Sequence, residues 1–372
     1  MKRKVMLLAN DSTYVYNLRR ELLQALIEEG NTVVVVCEEK QHAQQLREMG
    51  CKLLAIRVER HGKNPMKDLN ILFTYLAFLN KEKPDVVLTY NIKPNIYGGL
   101  ACAHKKIPYL VNVCGLGTPL EVPGLLQHLT VRMYRAGVKK ARCVFFQNTE
   151  NEAFFNERHM APGHHRLIPG SGVSLKQFKL LPYPQGDTTE FLFISRIMKE
   201  KGIDQYLEAA ACIHNDYPNT VFHVIGGCDD PAYLERLKDM EERGIIVYHG
   251  QQPDVRPFQA MSSCTIHPTY YPEGLSNVLL ESAASGRPII TTDRSGCREV
   301  VEDGVNGFVC RQQDTGDLIR QIEKFLVLSG EQRRDMGLAG RRKVEKEFDR
   351  QIVVNAYLDE IGKAVGAVKS GL

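Results

Sequence analysis

The stretch Glu273–Gly286, EGLSNVLLESAASG, places two glutamates eight residues apart across a predicted helix start. Ser276 or Asn277 can serve as the N-cap of that helix. A helix that begins beside a glycine leaves backbone N–H groups at its positive end to bind a phosphate. The pattern predicts an anion site at this helix start, with Glu281 able to reach a sugar hydroxyl. Glu273 would face the same ligand from outside the helix. Spacing alone is a weak signal, because most glutamates on helices are solvated.

Earlier in the chain, two cations and a glycine pair each follow the end of a predicted strand. Arg196 and Lys201 come after a predicted strand at Phe191–Ser195. A planar guanidinium beside a lysine suits a diphosphate, although a solvated helix start explains the same residues. Gly226-Gly227 follows another predicted strand and indicates either a close backbone approach to a ligand or a plain tight turn. The Gly-rich dinucleotide fingerprint and the P-loop pattern are absent from the sequence, which disfavours an NAD enzyme and a P-loop NTPase.

The elements that must position these residues alternate between strand and helix along the whole chain. Such alternation predicts parallel sheets with helices on both faces. A stretch rich in proline and glycine, Pro169–Glu190, interrupts the alternation, which then restarts. We therefore predict an α/β protein with two Rossmann-like domains facing each other across a cleft. The predicted parts are a first domain at 1–168, a linker at 169–190, a second domain at 191–348 and a final helix at 349–372.

Composition and charge limit the compartment and the partners. The 372 residues are 43% hydrophobic and 25% charged, as in ordinary soluble proteins. The longest aliphatic run, Val33–Val36, is too short for a transmembrane helix, and the N-terminal MKRKVMLLANDS is interpreted as a first strand. Ten cysteines without a C-x-x-C pair indicate reduced thiols in a cytoplasm. Residues 1–180 carry a net charge of +11 and residues 181–372 carry −7, which predicts an anionic partner for the first half.

Taken in order, the Arg196–Lys201 pair, the glycine pair and the Glu273/Glu281 segment resemble the donor half of the retaining family 4 glycosyltransferases, which have the GT-B fold. The resemblance implies that Arg196 and Lys201 hold a nucleotide diphosphate, that Glu273 contacts the transferred sugar, and that the last helix returns to the first domain. It makes Glu273, Arg196 and Lys201 the catalytic candidates. The donor-binding positions that it implies are Gly226, Gly227, Gly274, Leu275, Ser276, Asn277 and Glu281.

Three segments of the first half, Asn91–Asn95, Cys114–Gly117 and Ile168–Val173, are similar to a bacterial subgroup of this family. That N-acetylgalactosaminyltransferase-like subgroup extends polyprenyl-diphosphate-linked sugars for capsule, O-antigen or glycan assembly. Ala9–Thr13 departs from the family because it lacks paired glycines, and Ser171 stands where an asparagine is usual. The acceptor-side candidates are Asn10, Arg19, Arg60, Lys93, Asn95 and Gly117.

A predicted helix at Leu125–Arg142 suggests how a lipid-linked acceptor is reached. It carries one apolar and one basic stripe at helical spacing, and basic amphipathic surfaces lie on anionic bilayers. We expect the apolar stripe to pack on the sheet and the basic stripe to face a membrane. The apolar stripe is Leu125, Leu129, Met133 and Ala136, and the basic residues are Arg132, Arg135, Lys139 and Arg142, joined by Arg57, Arg60, Lys63 and Lys67.

The sequence predicts a retaining glycosyltransferase, cytoplasmic and peripheral on the inner face of the cell membrane. It would move a hexose or N-acetylhexosamine from a UDP-sugar to a polyprenyl-diphosphate-linked saccharide, with no nucleic acid partner. No cofactor and no metal are expected, since the two cations and the helix end neutralise the diphosphate and no Asp-x-Asp motif is present. The alternatives are a UDP-sugar 2-epimerase and a non-catalytic nucleotide-sugar-binding protein.

Overall fold

A computed structural model describes residues 2–57, 65–117, 120, 123–160, 163–272 and 274–369. The chain divides into two compact units. The first unit comprises residues 1–172 and 350–372, and the second unit comprises residues 173–349.

The first unit contains, in its described residues, a seven-stranded parallel sheet in the order β3-β2-β1-β4-β5-β6-β7. Its strands are β1 Lys4–Asp11, β2 Thr32–Glu38, β3 Lys52–Ala55, β4 Val86–Tyr90, β5 Tyr109–Val113, β6 Cys143–Phe146 and β7 His165–Leu167. Its helices up to the boundary are α1 Ser12–Glu28, α2 Ala43–Glu48, α3 Pro65–Glu82, α4 Gly99–Lys105, α5 Leu125–Val138 and α6 Thr149–Glu157, and a π-helical turn at Pro94–Gly98 leads into α4.

The second unit has, where the chain is described, a six-stranded parallel sheet in the order β10-β9-β8-β11-β12-β13. Its strands are β8 Thr189–Ile194, β9 Thr220–Ile225, β10 Val247–Tyr248, β11 Cys264–His267, β12 Ile289–Thr292 and β13 Gly307–Cys310. Its helices are α7 Ile203–Asp216, α8 Pro231–Glu242, α9 Arg256–Met261, α10 Asn277–Ala284, α11 Thr315–Leu326 and α12 Gly330–Glu347.

The central strands are apolar over most of their length because helices cover both faces of each sheet. In β1, Val5 and Leu7 join one core cluster of the first unit, whereas Met6 and Leu8 join the other. This division follows from the two-residue period of a strand, which sends alternate side chains to opposite faces. The predicted α/β class with two Rossmann-like domains is confirmed.

The last helix, α13 Arg350–Lys369, packs in the first unit, where Tyr357 belongs to the same core cluster as Val5. At its start the buried Arg350 donates to the Gly172 carbonyl (3.1 Å) and to the Glu21 carboxylate (2.9 Å). The chain therefore returns to its first unit through a helix that is fastened at its first residue.

Three short elements were not predicted from the sequence: β7, α9 and β13. Two of them, β7 and β13, are edge strands of three and four residues. An edge strand this short contains too few residues to show a period-2 pattern.

Candidate functional site

Three predicted donor segments follow neighbouring strands of the second sheet. Arg196 comes two residues after β8, Gly226 directly after β9, and Gly274 seven residues after β11. Because β9, β8 and β11 are consecutive in a parallel sheet, their carboxyl ends meet at one edge. The cation segment, the glycine pair and the start of α10 therefore share this edge. Glu273 lies outside the described residues.

The segment that carries the two cations is fixed by backbone hydrogen bonds on both sides. The Ile197 amide donates to the Gly227 carbonyl at 2.9 Å, next to the exposed Arg196. Lys201 closes a short 3-10 turn and is only 9% exposed, with its ammonium 4.8 Å from the centre of the Tyr271 ring. An ammonium at this distance from an aromatic face is attracted by the ring. One cation is thus solvent-facing and the other is held in place.

A second set of hydrogen bonds joins the cation segment to the loop after β11 and to the end of β12. The Glu200 carbonyl accepts from the Thr269 hydroxyl (3.2 Å) and the Tyr270 amide (2.9 Å). The hydroxyl of Thr292, the last residue of β12, in turn donates to the Thr269 carbonyl (2.5 Å). Two loops and one strand end are therefore joined by hydrogen bonds at one sheet edge, which limits how far Lys201 can move.

Two glycines allow these loops to approach each other. Gly226 has φ +157°, and a Cβ there would lie 1.6 Å from the Ser195 carbonyl oxygen. Gly202 has φ +77°, and a Cβ there would lie 2.1 Å from the Pro268 carbonyl oxygen. Any side chain at either position would separate the loops. The contact at Gly226 with the Ser195 carbonyl is a third role, close packing of two loops, beside the ligand approach and the tight turn that the sequence left open. Gly227 follows, facing Gln251.

The start of α10 is buried up to its cap. Gly274, Leu275 and Ser276 are buried, and Ser276 is the N-cap residue although its side chain makes no capping hydrogen bond. The Ser276 amide donates to the Gly296 carbonyl at 2.8 Å, which fixes the entry to the helix. Asn277 is half-buried, and its Oδ1 has no hydrogen-bond partner within the described protein. Glu281, one turn further along, is also half-buried.

The other end of α10 is followed by Arg287, which the sequence did not single out. Its fully buried guanidinium donates to the carbonyls of Gln259 (2.6 Å) and Pro182 (2.7 Å). Burial lowers the pKa of Arg287 to about 10, against the raising effect of Tyr183. Arg287 therefore anchors α10 from behind and has no access to the sheet edge where the cations lie.

Near the carboxyl edge of the first sheet, a cation is buried inside the protein. Arg19 on α1 is 1% exposed, and its guanidinium donates to the Leu18 carbonyl (3.0 Å) and the Tyr14 hydroxyl (3.1 Å). Its guanidinium carbon lies 4.7 Å from the Tyr90 ring centre and 5.9 Å from that of Tyr357. Among the described residues it contacts no carboxylate, and its Nε has no partner. Arg19 is stabilised by aromatic faces.

Two further acceptor-side candidates lie near the ends of β1 and β4. The Asn10 amide donates to the Asn91 side chain (3.2 Å), while the Asn10 Oδ1 is buried without a partner among the described residues. The half-buried Lys93 pairs with Asp68 on α3 at 2.7 Å. Arg60 lies outside the described residues. Asn10 and Lys93 therefore lie at the edge expected for them.

Asn95 lies in the core of the first unit. It is fully buried, accepts from the Thr89 hydroxyl (2.8 Å), and donates to the Asn112 carbonyl and the Tyr134 hydroxyl (both 2.8 Å). All of these bonds join parts of the same unit, so they explain Asn95 as a core residue. Gly117 is half-buried with φ +65°.

Helix α5 corrects the expectation for its apolar stripe. Leu125 is 88% exposed and Leu129 is 54% exposed, so the prediction that this stripe packs on the sheet is wrong. The buried face is set instead by Tyr134 and by Gly137, where a Cβ would lie 2.7 Å from the Ile96 carbonyl oxygen. Since a glycine allows this close contact, the helix turns its leucines to the surface. The basic residues Arg132, Arg135, Lys139 and Arg142 are also exposed.

Two family models match the chain. The model of group 1 glycosyl transferases matches residues 182–343, and a glycosyl transferase 4-like model matches residues 4–148.

Two curated relatives and one solved structure add detail. The chain is 25% identical to N,N'-diacetylbacillosaminyl-diphospho-undecaprenol alpha-1,3-N-acetylgalactosaminyltransferase of Campylobacter jejuni, covering 94% of this chain and 96% of the relative. It is 25% identical to UDP-Gal:alpha-D-GlcNAc-diphosphoundecaprenol alpha-1,3-galactosyltransferase of Escherichia coli, covering 69% and 70%. A glycosyltransferase from Rickettsia africae has a similar fold, with a TM-score of 0.79 at 18% identity over 98% of this chain and 99% of that one.

Proposed function

Because the chain belongs to the family 4 (group 1) glycosyltransferases, we propose that it is a retaining enzyme that moves a sugar from a UDP-sugar to a polyprenyl-diphosphate-linked saccharide. The transferred sugar would be a hexose or N-acetylhexosamine. The observation that carries the proposal is the shared edge of β9, β8 and β11, where the two cations meet the start of α10.

The donor diphosphate would lie between Arg196, Lys201 and the first turn of α10. Arg196 is exposed and can offer a bidentate fork, whereas Lys201 is a held point charge. The helix end adds roughly half a positive charge through its backbone N–H groups. Glu281, one turn into α10, would accept from the ribose hydroxyls. Together these groups can neutralise the leaving diphosphate, so we propose that transfer needs no metal.

The surroundings of Asp11, an acidic candidate for a general base at this edge, support a retaining course. Asp11 is buried at the carboxyl end of β1, and its carboxylate already accepts from the Tyr14 amide (2.8 Å) as the N-cap of α1. An inverting enzyme needs a carboxylate free to take the acceptor proton. We propose that the leaving phosphate oxygen takes that proton on the same face, with Glu273 orienting the donor sugar.

The names of both curated relatives specify diphospho-undecaprenol substrates, which supports a lipid-linked acceptor. In this chain the acceptor would be met by Asn10 and Lys93 at the carboxyl edge of the first sheet. Asn10 presents a buried oxygen that has no partner among the described residues, and Lys93 presents a cation that pairs with Asp68. Arg19 is buried, so we assign it the role of holding the Tyr14 segment beside Asn10.

A lipid-linked acceptor requires contact with a membrane, and α5 offers it. Three leucines, Leu125, Leu126 and Leu129, are exposed near the start of a helix that also exposes Arg132 and Arg135. Apolar side chains beside cations are the composition of interfacial helices. No helix in the described part of the chain is long and apolar enough to span a bilayer. We propose peripheral binding to the inner face of the cell membrane through α5.

The transferase proposal is tested with purified protein, a panel of UDP-sugars and a polyprenyl-diphosphate-linked saccharide. We expect UDP release only when both substrates are present. Conversion of a UDP-sugar without acceptor would indicate the epimerase, and tight UDP-sugar binding with no product under any condition would indicate a binding protein.

The retaining proposal is tested on the product. From an α-linked donor, the anomeric coupling measured by NMR should be that of an α-linkage, and a β-linked product would contradict the proposal. Glu273→Gln should keep part of the activity because the amide oxygen still accepts a hydrogen bond, whereas Glu273→Ala should lose far more.

A further inference from the structure

A pocket of about 360 Å³ opens in the first unit where α4 and α5 end beside the start of β5. Three cations line it, Lys106, Lys140 and Arg142, against an apolar wall that includes Ile107 and Pro108. This size lies within the range of small-molecule sites. β5 is five residues long, so the pocket lies about 16 Å from the opposite sheet edge, where the acceptor-side candidates are.

The rim of the pocket is fixed by Tyr109, the first residue of β5. Its hydroxyl donates to the Gly137 carbonyl (2.7 Å) and accepts from the Lys140 amide (3.2 Å), while its carbonyl accepts from the Arg142 amide (2.9 Å). The backbone that carries two of the three cations is therefore held by a buried phenol.

The charge at the pocket is not balanced by the protein. Lys105 and Lys139 flank the lining cations, and within the described chain none of the five forms an ion pair. Two helix C-termini contribute roughly −0.5 each, and Asp85, which immediately precedes the neighbouring strand β4, contributes one more negative charge. A net charge of roughly +3 remains beside a low-dielectric wall.

We propose that this pocket binds a phosphate-class anion, as a second ligand site separate from the proposed donor and acceptor sites. Phosphate oxygens accept several charge-assisted hydrogen bonds at once, which suits one arginine and two lysines arranged around a cavity. The phosphate is that of a small soluble ester or of a lipid headgroup. Only the lipid source rests on the membrane contact proposed above.

Adjacent lysines in the chain supply a matched test. Lys106 and Lys140 line the pocket, whereas Lys105 and Lys139 immediately precede them and do not. The double variants K106Q/K140Q and K105Q/K139Q remove the same charge from the same two segments. Glutamine removes the charge while keeping a long side chain. It also leaves a residue with a Cβ at Lys106, whose φ is +57°, so the backbone strain there is unchanged. Matching thermal unfolding midpoints would show that both variants fold.

Binding is measured to the full chain in two arms: inorganic phosphate by titration calorimetry, and phosphatidylcholine vesicles containing phosphatidic acid by co-sedimentation. We expect K106Q/K140Q to weaken binding about tenfold or more in at least one arm. K105Q/K139Q should weaken phosphate binding by less than about threefold, and should weaken vesicle binding only by the roughly fivefold expected when Lys139 is lost from the basic stripe of α5. A selective loss in the phosphate arm identifies a soluble ligand, and one confined to vesicles identifies a headgroup. Equal losses in both variants, or no wild-type binding in either arm, would overturn the proposal.

The same two arms separate a failure of the membrane proposal from a failure of the phosphate-site proposal. If the wild-type protein does not bind vesicles but binds inorganic phosphate through Lys106 and Lys140, the result supports the phosphate site and contradicts the membrane contact through α5.

Discussion

The carboxyl edges of the two sheets hold their cations in opposite ways. In the second unit, Arg196 and Lys201 lie in a loop that backbone hydrogen bonds fasten to its neighbours; Arg196 is exposed there, whereas Lys201 is nearly buried beside Tyr271. In the first unit, Arg19 lies within the protein among tyrosine rings. Where the backbone supplies the support, a side chain such as that of Arg196 can stay exposed; where side chains supply it, the cation becomes part of the core.

The first test of this comparison removes Arg19, the buried cation of the first unit. Arg19→Ala should lower the free energy of unfolding by about 3–4 kcal/mol, because it leaves a cavity and removes a hydrogen bond to the Tyr14 hydroxyl. Chemical denaturation followed by circular dichroism measures the loss. Arg19→Lys should recover part of it by keeping a cation near Tyr90. A variant Arg19→Ala as stable as wild type but deficient in acceptor binding would show that Arg19 acts on the acceptor directly.

The second test concerns the basic charge of the first unit. Reversing Arg132, Arg135 and Lys139 to glutamate should weaken binding to anionic vesicles by about 1 kcal/mol per charge, with binding also falling as salt rises. A control is Leu125→Ser with Leu129→Ser, which keeps the charge and removes only the exposed apolar contact. Vesicle binding that survives the triple reversal would assign the basic stripe to another partner.

The third test compares cations within the second unit. Arg196→Ala and Lys201→Ala should each cost about 1.5–3 kcal/mol in the transition state, seen as a fall in kcat/KM, since each removes a charge-assisted contact to the diphosphate. Lys199→Ala is the matched control, because Lys199 lies exposed in the same 3-10 turn as Lys201. Wild-type turnover of both site variants at saturating donor would place the diphosphate elsewhere.

The sequence predicted the second edge better than the first for a physical reason. Arg196, Lys201 and the start of α10 lie in segments that follow strands, and the carboxyl ends of neighbouring strands in a parallel sheet lie at one edge whatever the details of packing. The roles of Asn95 and Gly137 depend on tertiary contacts: Asn95 bonds to Tyr134, and Gly137 abuts Ile96. Nothing in the local pattern of α5 shows that a glycine contact, rather than its leucines, selects the buried face.

The role of Gly226 likewise depends on a tertiary contact that the local sequence does not show. The sequence permits a tight turn or an approach to a ligand, and only the fold brings the Ser195 carbonyl to within 1.6 Å of a Cβ at that position. Residue type therefore restricted the conformation, while the neighbour that makes glycine necessary lies 31 residues away in the chain.

The smallest effect is expected where α13 joins the first unit. The buried Glu360 receives hydrogen bonds from His164 (2.8 Å), Arg166 (3.1 Å) and Lys363 (3.0 Å). Burial raises the pKa of Glu360, but the hydrogen bonds from these three partners lower it by more than burial raises it. The pKa in the folded protein therefore lies below the ordinary 4.5. A depressed carboxyl pKa stabilises the fold above pH 4.5, and that stability is lost as pH falls through the folded pKa.

Unfolding free energies measured between pH 6 and pH 3 should therefore fall less steeply in Glu360→Gln than in wild type, by less than about 1 kcal/mol because the cationic partners are partly exposed. Asp359 and Cys143 also face this network: the pKa of Asp359 is lowered, first by its hydrogen bond from Lys363, and burial raises that of Cys143 to about 12. Glu331→Gln, in an exposed pair with Arg334 on α12, is the control and should leave the pH profile unchanged. An unaltered profile in Glu360→Gln would mean that apolar packing around Tyr357, and not this ion-pair network, holds α13 to the first unit.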